Sequence, residues 1–134
     1  MEQRRLGDAG PDVPVICFGA WPIGGGMGSV ADAEAITTVQ RAVDLGINFI
    51  DTAEAYRTSQ ALIGRALEGR RSNVILATKV SNGDLSRQHI MSAVDDSLRA
   101  LRTDYIDLYQ AHSWDSNHPI DESMHAFDDL VTSG

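Results

Sequence analysis

Val74-Ile75-Leu76-Ala77-Thr78-Lys79 is an apolar run that closes on the single lysine of the chain. Ten of the 11 basic residues are arginine, so this ammonium stands apart from the rest of the charge pattern. A charge at the C-terminal mouth of a buried strand is costly to desolvate unless it has a partner or a task. Two further strand-like runs end in polar groups: Ile47-Asn48-Phe49-Ile50 in Asp51, and Tyr105 through Ala111 in His112. A carboxylate, an ammonium and an imidazole thus stand at the same end of three successive strands.

Helical patterns alternate with these runs. The first unit opens with Val15-Ile16-Cys17-Phe18-Gly19, passes through Gly24-Gly25-Gly26-Met27-Gly28, and predicts a helix over 31–45. Ser29 is its expected cap, Ile36, Val39 and Val43 form its apolar stripe, and Gly46 closes it. The second helix starts after Ser59 and stops near Gly69, with Leu62, Ile63, Ala66 and Leu67 inward. The third takes Ser86 as cap and carries Ile90, Val94, Leu98 and Leu101, with Arg99 and Arg102 near its C-terminal dipole. The fourth follows Pro119-Ile120-Asp121 and carries Met124, Phe127, Leu130 and Val131. Ahead of the first unit, residues 4–15 predict a short hairpin around Asp8-Ala9-Gly10-Pro11.

Alternating strands and helices with near-continuous apolar strands mean a parallel sheet covered by helices. Two architectures fit: a doubly wound open sheet, or part of a (β/α)8 barrel. Both place functional residues beyond the C-terminal ends of the strands, where Asp51, Lys79 and His112 fall.

The 134 residues suffice for one domain, and 43% hydrophobic with 22% charged content is ordinary for a globular protein. A net charge of -8 without a contiguous basic patch argues against a nucleic-acid partner. Arg4-Arg5 and Arg70-Arg71 read as isolated surface pairs. The lone Cys17 cannot form an internal disulfide and is expected as a packed core thiol in a reducing compartment. No stretch approaches the ~20 apolar residues of a membrane span, and Asp8, Asp12 and Pro14 break up any signal-peptide pattern. The expectation is a soluble, cytoplasmic protein with no membrane partner.

Gly26-Met27-Gly28-Ser29-Val30-Ala31 satisfies G-x-G-x-x-G/A, which offers a Rossmann-type dinucleotide-binding reading. The motif ought to follow its strand at once, yet Ala20-Trp21-Pro22-Ile23 and two glycines intervene. A metal site is not expected. His112, His118 and His125 lack ligand spacing, and the first strand ends in Gly19-Ala20-Trp21 rather than in ligands. His89 and His125 read as exposed helix residues and His118 as a loop residue.

The remaining constellation is Asp51, Tyr56, Lys79 and His112. Three segments carry a resemblance: Gly46-Ile47-Asn48-Phe49-Ile50-Asp51-Thr52-Ala53-Glu54-Ala55-Tyr56, Ala77-Thr78-Lys79, and Ser97-Leu98-Arg99-Ala100-Leu101 with Asp104 through His112. Together with Phe18-Gly19-Ala20-Trp21 they resemble the aldo-keto reductase family over essentially the whole chain. The resemblance implies the N-terminal half of a (β/α)8 barrel: four strand–helix units preceded by a hairpin, with residues 1–134 a single partial reductase domain. It implies an NADP cofactor, a small carbonyl substrate, and a catalytic tetrad of Asp51, Tyr56, Lys79 and His112. It also implies cofactor contacts from Gly19, Ala20, Trp21 and Asp51, with Trp21 lining the substrate pocket.

The chemistry gives each residue type a reason. Carbonyl reduction by a nicotinamide needs a proton for the oxygen as hydride reaches the carbon. A tyrosine is a poor acid near neutrality, and a nearby ammonium makes it a better one. Lys79 takes that part, held by Asp51, while Tyr56 donates and His112 orients the oxygen. Taken singly, Asp51 reads as a turn former and Tyr56 as a packed loop aromatic. After the tyrosine the family usually has Gly, a spacer and Ser-Glu; here Arg57-Thr58-Ser59-Gln60 is shorter, altering a loop expected to border the pocket.

A complete barrel takes about 250 residues, so four units leave the first and fourth strands as open edges. Phe49 and Ile106 are then expected to be partly exposed on the inner face. Three readings follow: the N-terminal half of a longer reductase, inactive alone; a homodimer closing two half-barrels edge to edge; or a non-enzymatic interaction module.

Overall fold

A computed structural model describes residues 1–134. Strands β1 (Gln3–Arg5) and β2 (Asp12–Pro14) form the expected antiparallel hairpin. There follow β3 (Phe18–Gly19), α1 (Asp32–Asp44), β4 (Phe49–Asp51), α2 (Ser59–Ala66), β5 (Ile75–Val80), α3 (Arg87–Leu101), β6 (Leu108–Ala111) and α4 (Ile120–Ser133). The four later strands make one parallel sheet in the order β3-β4-β5-β6. That order never reverses. A doubly wound sheet needs a point where the order turns back on itself, so the monotonic order excludes the Rossmann-type reading. The glycine turn serves packing instead. A Cβ on Gly26 would stand 2.1 Å from the Trp21 indole, and one on Gly24 would stand 2.1 Å from the Tyr56 carbonyl oxygen.

Helices cover one face of the sheet only. Ile50 and Leu76 are fully buried there with Val39, Ile63 and Leu101, and a second cluster gathers Val80, Leu85, Ile90, Ala93 and Ala126. Polar groups on this covered face are paired: Gln60 Nε2 donates to Thr78 Oγ1 at 2.8 Å and to Ser97 Oγ at 2.9 Å. Gln60 therefore ties α2 to β5 and α3, and does not border the pocket as the sequence suggested. It lies in the first turn of α2, whose axis lays it over the strand. α2 and α3 approach closely at Gly64, where a Cβ would meet the Ala100 carbonyl oxygen at 2.6 Å.

The opposite face has no such cover. Phe49 and Ile75 are only partly buried, as expected for strands with one packed side, and so is Ile106 in the segment that leads into β6. The first strand is shorter than its apolar run. Val15 donates its N–H to Glu2 in the hairpin, and Val15 and Ile16 are 47% and 53% exposed. Cys17 is likewise exposed rather than packed in a core, since it precedes β3, an edge strand of the sheet.

Helix ends differ in detail. Ser86 caps α3 as expected, its Oγ accepting from the His89 N–H at 3.2 Å. Ser29 does not cap α1; Ala31 stands at that position, and Asp32 and Glu34 in the first turn meet the dipole instead. β6 begins at Leu108, and Asp107 just before it still meets β5: its N–H donates to the Leu76 carbonyl oxygen, and its carboxylate accepts from the Leu76 N–H at 2.8 Å. On α4 the inward face is Ser123 and Ala126 with Phe127 and Leu130, while Met124 and Val131 are exposed. No helix is long and apolar enough to cross a membrane.

Candidate active site

Each of the four singled-out residues comes from the C-terminal end of a strand or the loop after it. Asp51 is the last residue of β4, Lys79 the penultimate residue of β5, and His112 follows β6 directly. Parallel pairing sets Asp51 beside Ala77 and Lys79 beside Gln110. The Lys79 Nζ donates to Asp51 Oδ1 at 2.5 Å and to the Thr52 carbonyl oxygen at 2.7 Å. Both side chains are shielded, 13% exposed for Lys79 and 28% for Asp51, and shielding strengthens a pair of this kind. Gln110 Nε2 donates weakly to the other Asp51 oxygen at 3.4 Å.

Tyr56 stands over this pair. Its ring centroid lies 5.0 Å from Lys79 Nζ, within range of a cation–π contact. Trp21 packs edge-on against one side of the ring at 5.0 Å, and His112 against another at 5.4 Å. The loop that carries Tyr56 is tied from below. Ser59 Oγ bonds Thr52 Oγ1 at 2.8 Å and donates to the Ala20 carbonyl oxygen at 3.1 Å, and the Ser59 N–H donates to Tyr56. Arg57 holds the left-handed conformation at φ 50, which bends the chain sharply after the tyrosine.

Of the residues associated with cofactor contact, Gly19 faces open space where a Cβ would be, and Trp21 is 41% exposed. Ala20 is fully buried, and its N–H and carbonyl are spent on Asp51 and Ser59. Asp51 is held by Lys79. The site is thus an open shelf at the C-terminal ends of the strands. A separate depression lined by Gly69, Arg71, Leu98, Arg102 and Tyr105 lies at the opposite end of the sheet and carries none of these groups.

Sequence reading missed three residues at the rim. Ser81 Oγ lies 2.8 Å from His112 Nδ1, Glu54 accepts from the Ser81 N–H at 2.8 Å, and Gln110 touches Asp51. Strand alternation would have found two of them, since Ser81 is two residues past Lys79 and Gln110 two before His112. His89 is half-buried, not exposed, because it turns toward Glu54 at 3.4 Å. His125 is exposed as expected. His118 sits with Asp84 and Asp115, but Asp115 is committed to the Leu85 and Asn117 amides and to His118 Nδ1 at 2.6 Å. Those bonds hold the Asp115 carboxyl down at about 2, the Leu85 amide contributing most.

A model of the Aldo/keto reductase family matches residues 15–134. The chain belongs to the aldo/keto reductase family. It is 40% identical to the aldo-keto reductase YhdN of Bacillus subtilis over 147 aligned positions, covering all of this chain and 44% of that protein. Among solved structures, the holo form of an aldo-keto reductase from Bacillus halodurans superposes with a TM-score of 0.91 at 38% identity, covering all of this chain and 47% of the other. The thermostable aldo-keto reductase Tm1743, in complex with the inhibitor epalrestat, gives 0.93 at 32% identity, covering all of this chain and 51% of that one. The chain spans about half the length of the curated relatives it matches. Its parallel strand–helix units correspond to the N-terminal part of the family's (β/α)8 barrel, and the uncovered sheet face is the side away from the helices, the barrel interior.

Proposed function

We propose that this chain supplies the proton-delivering side of a carbonyl-reducing active site, converting aldehydes or ketones to alcohols with an NADP cofactor. The observation that carries the reading is the shielded Lys79–Asp51 pair at 2.5 Å beneath the Tyr56 ring, with His112 edge-on beside it. In this reading a nicotinamide, when bound, supplies hydride to the carbonyl carbon. The residues present suit that reacting end: a phenol, an imidazole and an ammonium converge on one patch, and Gly19 leaves room beside Asp51. They offer little to a dinucleotide's phosphates. Lys79 is the only cation on the four sheet strands, and Asp51 already holds it.

Tyr56 donates its hydroxyl proton to the carbonyl oxygen as negative charge develops there. The Lys79 ammonium stabilises the phenolate that remains, and Asp51 with the Thr52 carbonyl fixes the ammonium in place. His112 donates to the same oxygen and so orients the carbonyl. Solvent returns a proton to Tyr56 after the alcohol leaves. Positioned acid catalysis of this kind is worth about 10²–10⁴-fold. With one half of the barrel wall, this chain alone binds NADPH weakly and turns over little. Residues 1–134 act as a partial reductase domain.

The test joins residues 1–134 to the second half of YhdN and measures NADPH-dependent reduction of 4-nitrobenzaldehyde. Tyr56→Phe is expected to lower kcat at least ~10²-fold with NADPH affinity unchanged. Undiminished turnover would mean that the acid lies elsewhere. A joined protein that folds and binds NADPH without any turnover would count against the reading as a whole.

A second reading rests on the free edges of β3 and β6. Two copies can close a barrel by pairing these edges, and the dimer interface would then cover Val15 and Ile16. Size-exclusion chromatography with mass detection decides it: a monomer at all concentrations sinks the dimer.

A further inference from the structure

Ser81 is 2% exposed and follows β5 directly, two residues past Lys79, so continued alternation turns it to the same face as the lysine. Its Oγ lies 2.8 Å from His112 Nδ1. The Ala55 N–H points at the same oxygen from 3.4 Å. An amide only donates, so toward Ala55 the hydroxyl oxygen is an acceptor. The one hydroxyl proton then has a single acceptor within reach, His112 Nδ1. A neutral imidazole carries one proton, and if Nδ1 accepts, that proton sits on Nε2. Nε2 has no partner in the protein and is the nitrogen left free for a ligand.

The serine itself is held from several sides. Its N–H donates to Glu54 Oε2 at 2.8 Å, and Asn82 Nδ2 donates to Glu54 Oε1 at 2.9 Å. Asn82 and Gly83 both adopt the left-handed conformation, each at φ 67, which turns the chain away directly after Ser81. Glu54 belongs to the loop that presents Tyr56, so the same segment that places the phenol also fixes the serine.

We propose that Ser81, clamped by Glu54, is a positioning residue that holds His112 as the Nε2–H tautomer, with that N–H free to donate to a substrate oxygen. Its meaning for catalysis rests on the carbonyl-reducing reading above. The opposite tautomer would turn a lone pair toward the carbonyl oxygen and repel it, so the serine decides whether His112 can orient substrate at all. The assignment of the proton follows from the hydrogen-bond network and is open to direct measurement.

The experiment uses the chain as it stands, labelled with ¹⁵N at histidine, without cofactor or substrate. Long-range ¹H–¹⁵N correlation spectra report which ring nitrogen carries the proton. Where the ring is neutral, His112 of the wild-type chain is expected to carry its proton on Nε2. Ser81→Ala is expected to give averaged tautomers at His112 with the His89, His118 and His125 signals unmoved, and Ser81→Thr to restore the single tautomer. A wild-type His112 protonated on Nδ1, or a His112 spectrum unchanged in Ser81→Ala, would overturn the proposal. The wild-type measurement decides even where a variant fails to fold. The tautomer is read without turnover, so failure here is separable from failure of Tyr56 as the acid.

Discussion

The two faces of the sheet are built from the same six-residue stretch of β5 and have opposite characters. Leu76, Thr78 and Val80 point into the helices and are fully buried. Ile75 and Lys79 point the other way, partly open, and the lysine needs a carboxylate to be tolerated there. On the covered face most of the gain comes from apolar area and close approach, as at Gly64, with the buried Gln60 bonds to Thr78 and Ser97 added. On the open face the side chains carry charge and hydrogen-bond donors, and packing contributes less. Stability and chemistry are thus divided between the faces of one strand, by an alternation of period two.

That division is broken most severely from the covered side. Leu76→Ala removes a fully buried side chain from the main cluster and is expected to cost about 2–5 kcal/mol in urea unfolding. Phe49→Ala on the open face is expected to cost less than about 1.5 kcal/mol, because the ring is already partly in water. Equal costs would mean that the open face is covered in solution.

Cys17 sharpens the comparison from the open side. The residue is exposed, yet its thiol is pushed up to about 11 from an ordinary 9.0, by burial first and then by the charge of Asp51, with Lys79 opposing. Alkylation by iodoacetamide at pH 8 is expected to run about 100-fold slower than for an ordinary thiol, and to keep rising beyond pH 10. A rate that levels off near pH 9 would mean that the sulfur is solvated rather than shielded.

The smallest effect belongs to the rim, where Asp115 and His118 join the β5–α3 turn to the β6–α4 loop. The folded Asp115 value is depressed, so its contribution is present above the ordinary 3.8 and is lost as pH falls toward about 2. The folded His118 value is raised, chiefly by its bond to Asp115, so its contribution is present below 6.5 and is lost as pH rises through the folded value. Thermal unfolding followed across pH is expected to show both limbs. His118→Ala is expected to remove the upper one; persistence of that limb would assign it to another group.

Much of this was legible in the chain. The Ile47–Asp51 and Val74–Lys79 runs read as strands because length, apolar content and a polar terminus agree, and Ser86 reads as a cap because that signal lies within one turn of its helix. Gln60 and Cys17 were misjudged for a common reason. Burial of each depends on an element distant in sequence, α3 for the first and a covering layer over β3 for the second.

The residues alone determined the order of strand–helix units and the placement of Asp51, Lys79 and His112 at strand ends, because periodicity and turn chemistry are local. Tertiary structure decided which of those groups touch. Parallel register set Lys79 on Asp51 and brought Ser81 to a histidine 31 residues away, and the monotonic strand order turned a glycine-rich loop from a phosphate cradle into a packing joint beneath Trp21 and Tyr56. Register is a property of neighbouring strands, so no single strand could announce it.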